Sequence, residues 1–108
     1  MKILLVCSAG MSTSLLVKKM QTNADERNLS VQIEAVAESE VGDAMVGTDV
    51  LLIGPQIRYL ERKIKELVRH TNIKVAVIDS MAYGLMRGDQ IINQAMNLHN
   101  KEQKGLVR

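Results

Sequence analysis

Lys2-Ile3-Leu4-Leu5-Val6-Cys7-Ser8-Ala9-Gly10 reads as a strand running into a loop. The apolar run Ile3 to Val6 suits a strand covered on both faces. Cys7-Ser8 ends it after too few residues for the apolar segment of a signal peptide. Beyond the loop, Leu16, Met20 and Ala24 recur at helical spacing, which predicts a helix from about residue 12 to 28. Ser12 or Thr13 is placed as its N-cap, and Asn28 as a left-handed stop. Strand, small-residue loop and helix form the opening of a β-α-β unit.

The same alternation repeats outward from this unit. Residues 31–36 alternate, with Val31, Ile33 and Ala35 on one face and Gln32 and Glu34 on the other. A short helical stretch over 39–46 is bounded by Gly47, and Val50-Leu51-Leu52-Ile53 is a second continuous apolar strand. Gly54-Pro55 turns the chain into a helix, with Pro at its first position. Ile57, Leu60, Ile64, Leu67 and Val68 are its predicted buried face. Residues 73–78 form a fourth strand. Asp79 or Ser80 caps a short helix ending at Gly88, and Asp89 caps a last helix with Ile91, Ile92, Ala95 and Met96 on one face.

Four strands alternating with helices predict an α/β fold with a parallel sheet covered on both sides. The apolar strands one and three belong at the centre. Strand two, with its polar face, and strand four, with Lys74, belong at the edges. The predicted order is 2-1-3-4, a flavodoxin-like arrangement in one domain of residues 1–100, followed by a charged, disordered tail over 101–108. In such sheets ligands bind beyond the strand ends where the order reverses. Cys7 lies at that switch point.

Composition narrows the function. The chain has 108 residues, room for one modest core. It has no Trp or Phe, and Tyr59 and Tyr83 are its two aromatic residues. Stacking platforms for single-stranded nucleic acid and for a flavin are therefore missing. The net charge of +2 resides in Lys101, Lys104 and Arg108 against Glu102, leaving a neutral body without the basic face of a nucleic-acid binder. The single cysteine excludes an internal disulfide and fits a reducing cytoplasm. No apolar run approaches the ~18 residues of a membrane span. The seven Met read as gap-filling core, Met11 in the loop excepted. His70 and His99 read as solvated residues near helix ends, and no metal or cofactor is expected.

The chemistry concentrates in Cys7-Ser8-Ala9-Gly10-Met11-Ser12-Thr13-Ser14. Small residues and a glycine allow the loop amides to turn inward as an anion nest. The helix terminus adds partial positive charge, and four hydroxyls add donors. A lone cysteine is ordinarily a small buried hydrophobe. Here its strand-end position favours a nucleophile, and the nest predicts a thiol pKa below the usual ~8.5. The same donors would cradle a phosphoryl group on the sulfur, or a phosphate bound noncovalently.

This loop, together with Gly54-Pro55-Gln56-Ile57 after strand three, resembles the lactose/cellobiose-type enzyme IIB of the bacterial phosphoenolpyruvate-dependent sugar phosphotransferase system. The resemblance spans essentially residues 1–100. It implies that Cys7 takes a phosphoryl group from a phosphohistidine on enzyme IIA. The group then passes to a sugar of the cellobiose, chitobiose or lactose type held by membrane enzyme IIC. Residues 8–14 would bind the phosphoryl group. Met11, Pro55, Gln56, Ile57, Ser80, Met81 and Tyr83 are the expected docking residues of a cytoplasmic protein, with nothing demanding more than a monomer.

The alternative is a hydrolase resembling low-molecular-weight tyrosine phosphatases, whose motif is Cys, five residues, Arg, then Ser or Thr. Thr13 occupies the Arg position, although Ser14 matches. The bidentate phosphate clamp is therefore absent. So is the late Asp-Pro acid, because the sole proline, Pro55, follows Gly54. A carrier benefits from both absences, since its phosphocysteine must outlast the wait for an acceptor. A receiver domain would need an acidic residue at the end of strand three, where Ile53-Gly54 stands.

Overall fold

A computed structural model describes residues 1–8 and 11–107, with backbone alone for residues 11, 12 and 101–107. Strand β1 (Lys2–Val6) leads to helix α1 (Met11–Glu26), strand β2 (Gln32–Val36), a 3-10 turn (Glu38–Glu40) and helix α2 (Val41–Ala44). Strand β3 (Val50–Ile53) continues through a 3-10 stretch (Pro55–Leu60) into α3 (Glu61–Leu67). Strand β4 (Lys74–Val77), α4 (Ser80–Gly84) and α5 (Gly88–Val107) complete the chain. The last helix runs on past Asn100, where the sequence suggests a tail.

The sheet is parallel throughout, in the order β2-β1-β3-β4. Ile3 pairs with Ile33 on one side and Val50 on the other. Ile3–Val6 and Val50–Ile53 are fully buried, whereas β2 and β4 are exposed or half-buried. Side chains alternate across the sheet. Ile3, Leu5, Cys7, Val50 and Leu52 pack on α1 and α5 through Leu16, Met20, Ala24, Ile91 and Ile92. Leu4, Val6, Leu51 and Ile53 meet Val41, Ile57, Leu60, Ile64 and Val68 on the other face. Cys7 therefore continues the α1/α5 face.

Several boundaries differ from expectation. Helix α1 begins at Met11, so Ser12 and Thr13 both lie inside its first turn and neither is its cap. Asn28 does take the left-handed conformation expected of a stop, at φ 56°. Pro55 opens a 3-10 segment in which Ile57 has non-helical angles; the true helix starts later. Ile57, Leu60, Ile64 and Val68 are buried as expected, but Leu67 is 49 % exposed. The short helix after Asp79 stops at Gly84, and Gly88 opens α5, where Asp89 was the expected cap. Among the described residues, no helix is long and apolar enough to cross a membrane.

Candidate functional site

The C-terminal ends of β1 and β3 meet at the switch point. Backbone pairing continues past both strands: the Cys7 amide donates to the Val36 carbonyl at 3.1 Å, and the Gly54 amide to Val6 at 2.8 Å. Gly54 lies against the thiol. A Cβ built there would stand 3.6 Å from Cys7 Sγ and 3.4 Å from Gln56 Oε1, filling space next to the sulfur.

Cys7 is only 2 % exposed. Its thiol interacts with the hydroxyls of Thr13, from the first turn of α1, and Tyr83, from α4. Thr13 is itself buried. The hydroxyl of Tyr83 also lies near the polar groups of Thr13 and Gln56, which act to lower its pKa. Helix α4 delivers this ring because Asp79 caps it, its carboxylate accepting from the Ala82 amide at 2.9 Å. Gln94 secures the approach to α4, donating to the Val77 carbonyl at 2.8 Å and accepting from the Asp79 amide at 3.1 Å.

Two cavities flank this cluster. A small one of about 210 Å³ is lined by Cys7, Thr13, Ser14, Ala35, Ala37 and Glu40. A larger one of about 510 Å³ lies between Pro55, Gln56, Arg58, Tyr59, Ser80 and Tyr83. Tyr83 thus forms a wall on the far side of the thiol. Glu40 gives the small cavity an acidic border, while Arg58 gives the larger one a cation.

The electrostatics correct one expectation. Burial pushes the Cys7 thiol up from its ordinary value, outweighing the hydroxyls of Thr13 and Tyr83, which act in the opposite direction. The sequence predicts a lowered value because it shows the hydroxyl-rich loop but not that the sulfur sits in the core layer. Burial, followed by the nearby Cys7, raises Tyr83 as well. Both groups favour the protonated folded state. In the unfolded chain they ionise first, so the folded state loses stability as pH rises through their unfolded values. Denaturant titration should show declining stability above about pH 8.5. Cys7→Ala should remove the first part of that decline.

The structure brings together many of the sequence-predicted site residues and separates others. Thr13 joins Cys7 directly, and Ser14 borders the small cavity. Ser8 is exposed. Ala9 and Gly10 lie outside the described residues, as do the side chains of Met11 and Ser12. Pro55, Gln56, Ser80 and Tyr83 converge on the larger cavity, and Met81 is 71 % exposed. Ile57 does not present its side chain to a partner, because it is buried in the core facing α3. Sequence reasoning placed Tyr83 at the rim but missed its proximity to the thiol. Arg58 and Tyr59, which border the larger cavity, lie just beyond the Gly54-Pro55-Gln56-Ile57 motif and carry no sequence signal for it.

The fold and site together define a parallel α/β domain with its single thiol at the switch point of the sheet, beside the hydroxyls of Thr13 and Tyr83. Residues 2–94 match the family of the lactose/cellobiose-specific IIB subunit of the phosphotransferase system (PTS). The oligo-beta-mannoside-specific EIIB component of Bacillus subtilis (strain 168) is 43 % identical over 97 residues, covering 90 % of this chain and 94 % of that protein. The galactose-specific EIIB component of Lactococcus lactis subsp. cremoris is 39 % identical, covering 91 % and 95 %. A cellobiose-specific IIB component from Borrelia burgdorferi has the same fold at a TM-score of 0.78 and 37 % identity, covering 94 % and 93 %. The lactose-specific IIB domain of Streptococcus pneumoniae superposes at 0.77 with 19 % identity, covering 88 % and 96 %, which speaks to fold alone.

The chain therefore belongs to the lactose/cellobiose-specific IIB subunits of the PTS. It is a phosphoryl carrier working between EIIA and EIIC, and the expectation of a carrier stands over that of a hydrolase.

Proposed function

We propose that Cys7 is the phosphoryl acceptor of this carrier. The observation that carries the reading is the placement of the single thiol, at the switch point, beside the hydroxyls of Thr13 and Tyr83 and bordering a cavity. The donor is a phosphohistidine on EIIA. Its P–N bond breaks as the S–P bond forms, and the thiol proton ends on the released imidazole. In the second transfer the S–P bond breaks, a sugar hydroxyl on EIIC takes the phosphoryl group, and the hydroxyl proton returns to sulfur. The amides and hydroxyls of residues 8–14 hold the group between transfers, so neither metal nor cofactor is required.

EIIA docks over the larger cavity, lined by Pro55, Gln56, Ser80 and Tyr83, and over the exposed Met81; Met11, whose side chain lies outside the described residues, is a further expected contact. Glu40 makes the opposite approach less favourable to an anion, whereas Arg58 favours this one. The sugar is of the cellobiose, chitobiose or lactose type and is recognised by EIIC. Relatives of similar identity carry the names of different sugars, which supports placing specificity outside this chain. Residues 1–100 form the working domain of a cytoplasmic monomer.

The assignment is tested by incubating the protein with phosphoenolpyruvate and the upstream phosphotransferase proteins, then locating the phosphate by peptide mass analysis. Phosphate on a residue other than Cys7 overturns it. The docking face has its own test. Met81→Glu should slow transfer from EIIA roughly tenfold by placing a charge in a rim that must desolvate. The melting temperature should be unchanged because Met81 is exposed. Unaltered transfer kinetics would remove Met81 from the docking surface.

A further inference from the structure

We propose that the Tyr83 hydroxyl is a positioning group for phosphoryl transfer, holding the Cys7 sulfur and donating to it as its negative charge develops. This rests on the reading of Cys7 as acceptor. It assigns Tyr83 a part in the chemistry, separate from its place in the docking rim.

Four observations converge on it. The Tyr83 ring is half-buried and packs on the same cluster as Cys7. Its hydroxyl interacts with Cys7, Thr13 and Gln56, which come from the end of β1, the first turn of α1 and the segment after β3. Gln56 Oε1 and Cys7 Sγ both approach a common point beside Gly54, and Gln56 lines the larger cavity together with Tyr83. Thr13, the third member, is one of two polar residues buried among the described residues. Polar groups at the edge of an apolar core are retained where they satisfy one another.

The chemistry follows from burial. When the thiol gives up its proton to become bonded to phosphorus, the sulfur carries partial negative charge in a poorly solvated place. A neutral O–H beside the sulfur can donate to it and stabilise that charge. It adds no fixed cation to clamp the phosphoryl group and promote its hydrolysis. Tyr83 keeps its own proton throughout, because burial and the adjacent Cys7 hold its ionisation above the ordinary phenol range. The net exchange remains S–H for S–P on this chain and N–P for N–H on the donor.

Tyr83→Phe tests this, because it deletes the hydroxyl and keeps the ring. Two quantities are read on the full chain. One is the pH midpoint of Cys7 alkylation by iodoacetamide. The other is the rate of phosphoryl acceptance from phosphorylated EIIA. The midpoint should rise, reflecting about a tenfold loss in the ionisation constant for one hydrogen bond to a charged sulfur. Acceptance should slow by a similar factor. Gln56→Met, which frees the hydroxyl from one partner, should shift both in the same direction by less, and serves if Tyr83→Phe is unstable.

An unmoved midpoint in both variants overturns the proposal, even where transfer slows, because slower transfer alone is the effect of a docking residue. The acceptor reading fails separately. In that case Cys7→Ser still takes phosphate, whatever Tyr83→Phe does.

Discussion

Cys7→Ser is expected to abolish phosphoryl acceptance while leaving the fold and melting temperature close to those of the parent. The exchange replaces sulfur with a smaller atom able to keep the interactions with Thr13 and Tyr83, so packing changes little. Reactivity changes far more. A thiol is reactive because it ionises within reach of neutral pH, whereas an aliphatic hydroxyl needs an adjacent base. The groups beside Cys7 are the hydroxyls of Thr13 and Tyr83, neither of which accepts a proton readily, while the Glu40 carboxylate bordering the same small cavity already accepts from the Ala37 amide at 3.0 Å. Ser8, Thr13 and Ser14 should stay unmodified for the same reason. The measurement is phosphate incorporation from phosphorylated EIIA, read by intact mass and by peptide. Retained label in Cys7→Ser would exclude the cysteine as acceptor. The parent protein should also show negligible turnover on aryl phosphates, because Thr13 stands where a phosphatase places its Arg clamp.

Strand placement is legible from sequence because burial on two faces leaves no polar residue in the strand. Ile3–Val6 and Val50–Ile53 show that signature, and both are central and fully buried. The polar face of Gln32 and Glu34 likewise announces an edge. The site is legible only in its local half. Cys7 and Thr13 lie within one loop-to-helix segment, so their proximity follows from the predicted β-α turn. Tyr83 reaches the thiol through α4, and no periodicity encodes where that short helix points. The raised Cys7 ionisation escapes the sequence for a related reason. Donors in the loop can be counted, but the depth of sulfur in the α1/α5 layer appears only once that layer is assembled. The Pro55 segment misleads because its apolar residues keep helical spacing through a 3-10 stretch, in which Ile57 departs from helical angles. Spacing identifies its buried residues better than its backbone path.

Gly88→Ala should be among the most destabilising of the small substitutions, although it adds a single methyl group. The start of α5 crosses α1 at this point. A Cβ on residue 88 would lie 2.9 Å from both the Lys19 carbonyl carbon and the Met20 amide nitrogen, and 3.0 Å from the Lys19 carbonyl oxygen. All three are backbone atoms, so no flexible side chain can swing aside. One helix must move away from the other. Their separation would loosen Met20, Ile91 and Ile92, which are fully buried in the shared layer. Overpacking of this kind costs roughly 1–3 kcal/mol. For a chain of this length, that lowers the melting temperature by roughly 4–8 °C for each kcal/mol. Gly88→Val should cost more. The effect reaches the site through α1, whose first turn carries Thr13 to the thiol. A shifted helix should therefore slow phosphoryl acceptance as well as lower the melting point. Urea denaturation of Gly88→Ala and its parent provides the check. Equal midpoints would mean that α1 and α5 can separate at no cost, and that the close approach at Gly88 does not fix the α1/α5 layer.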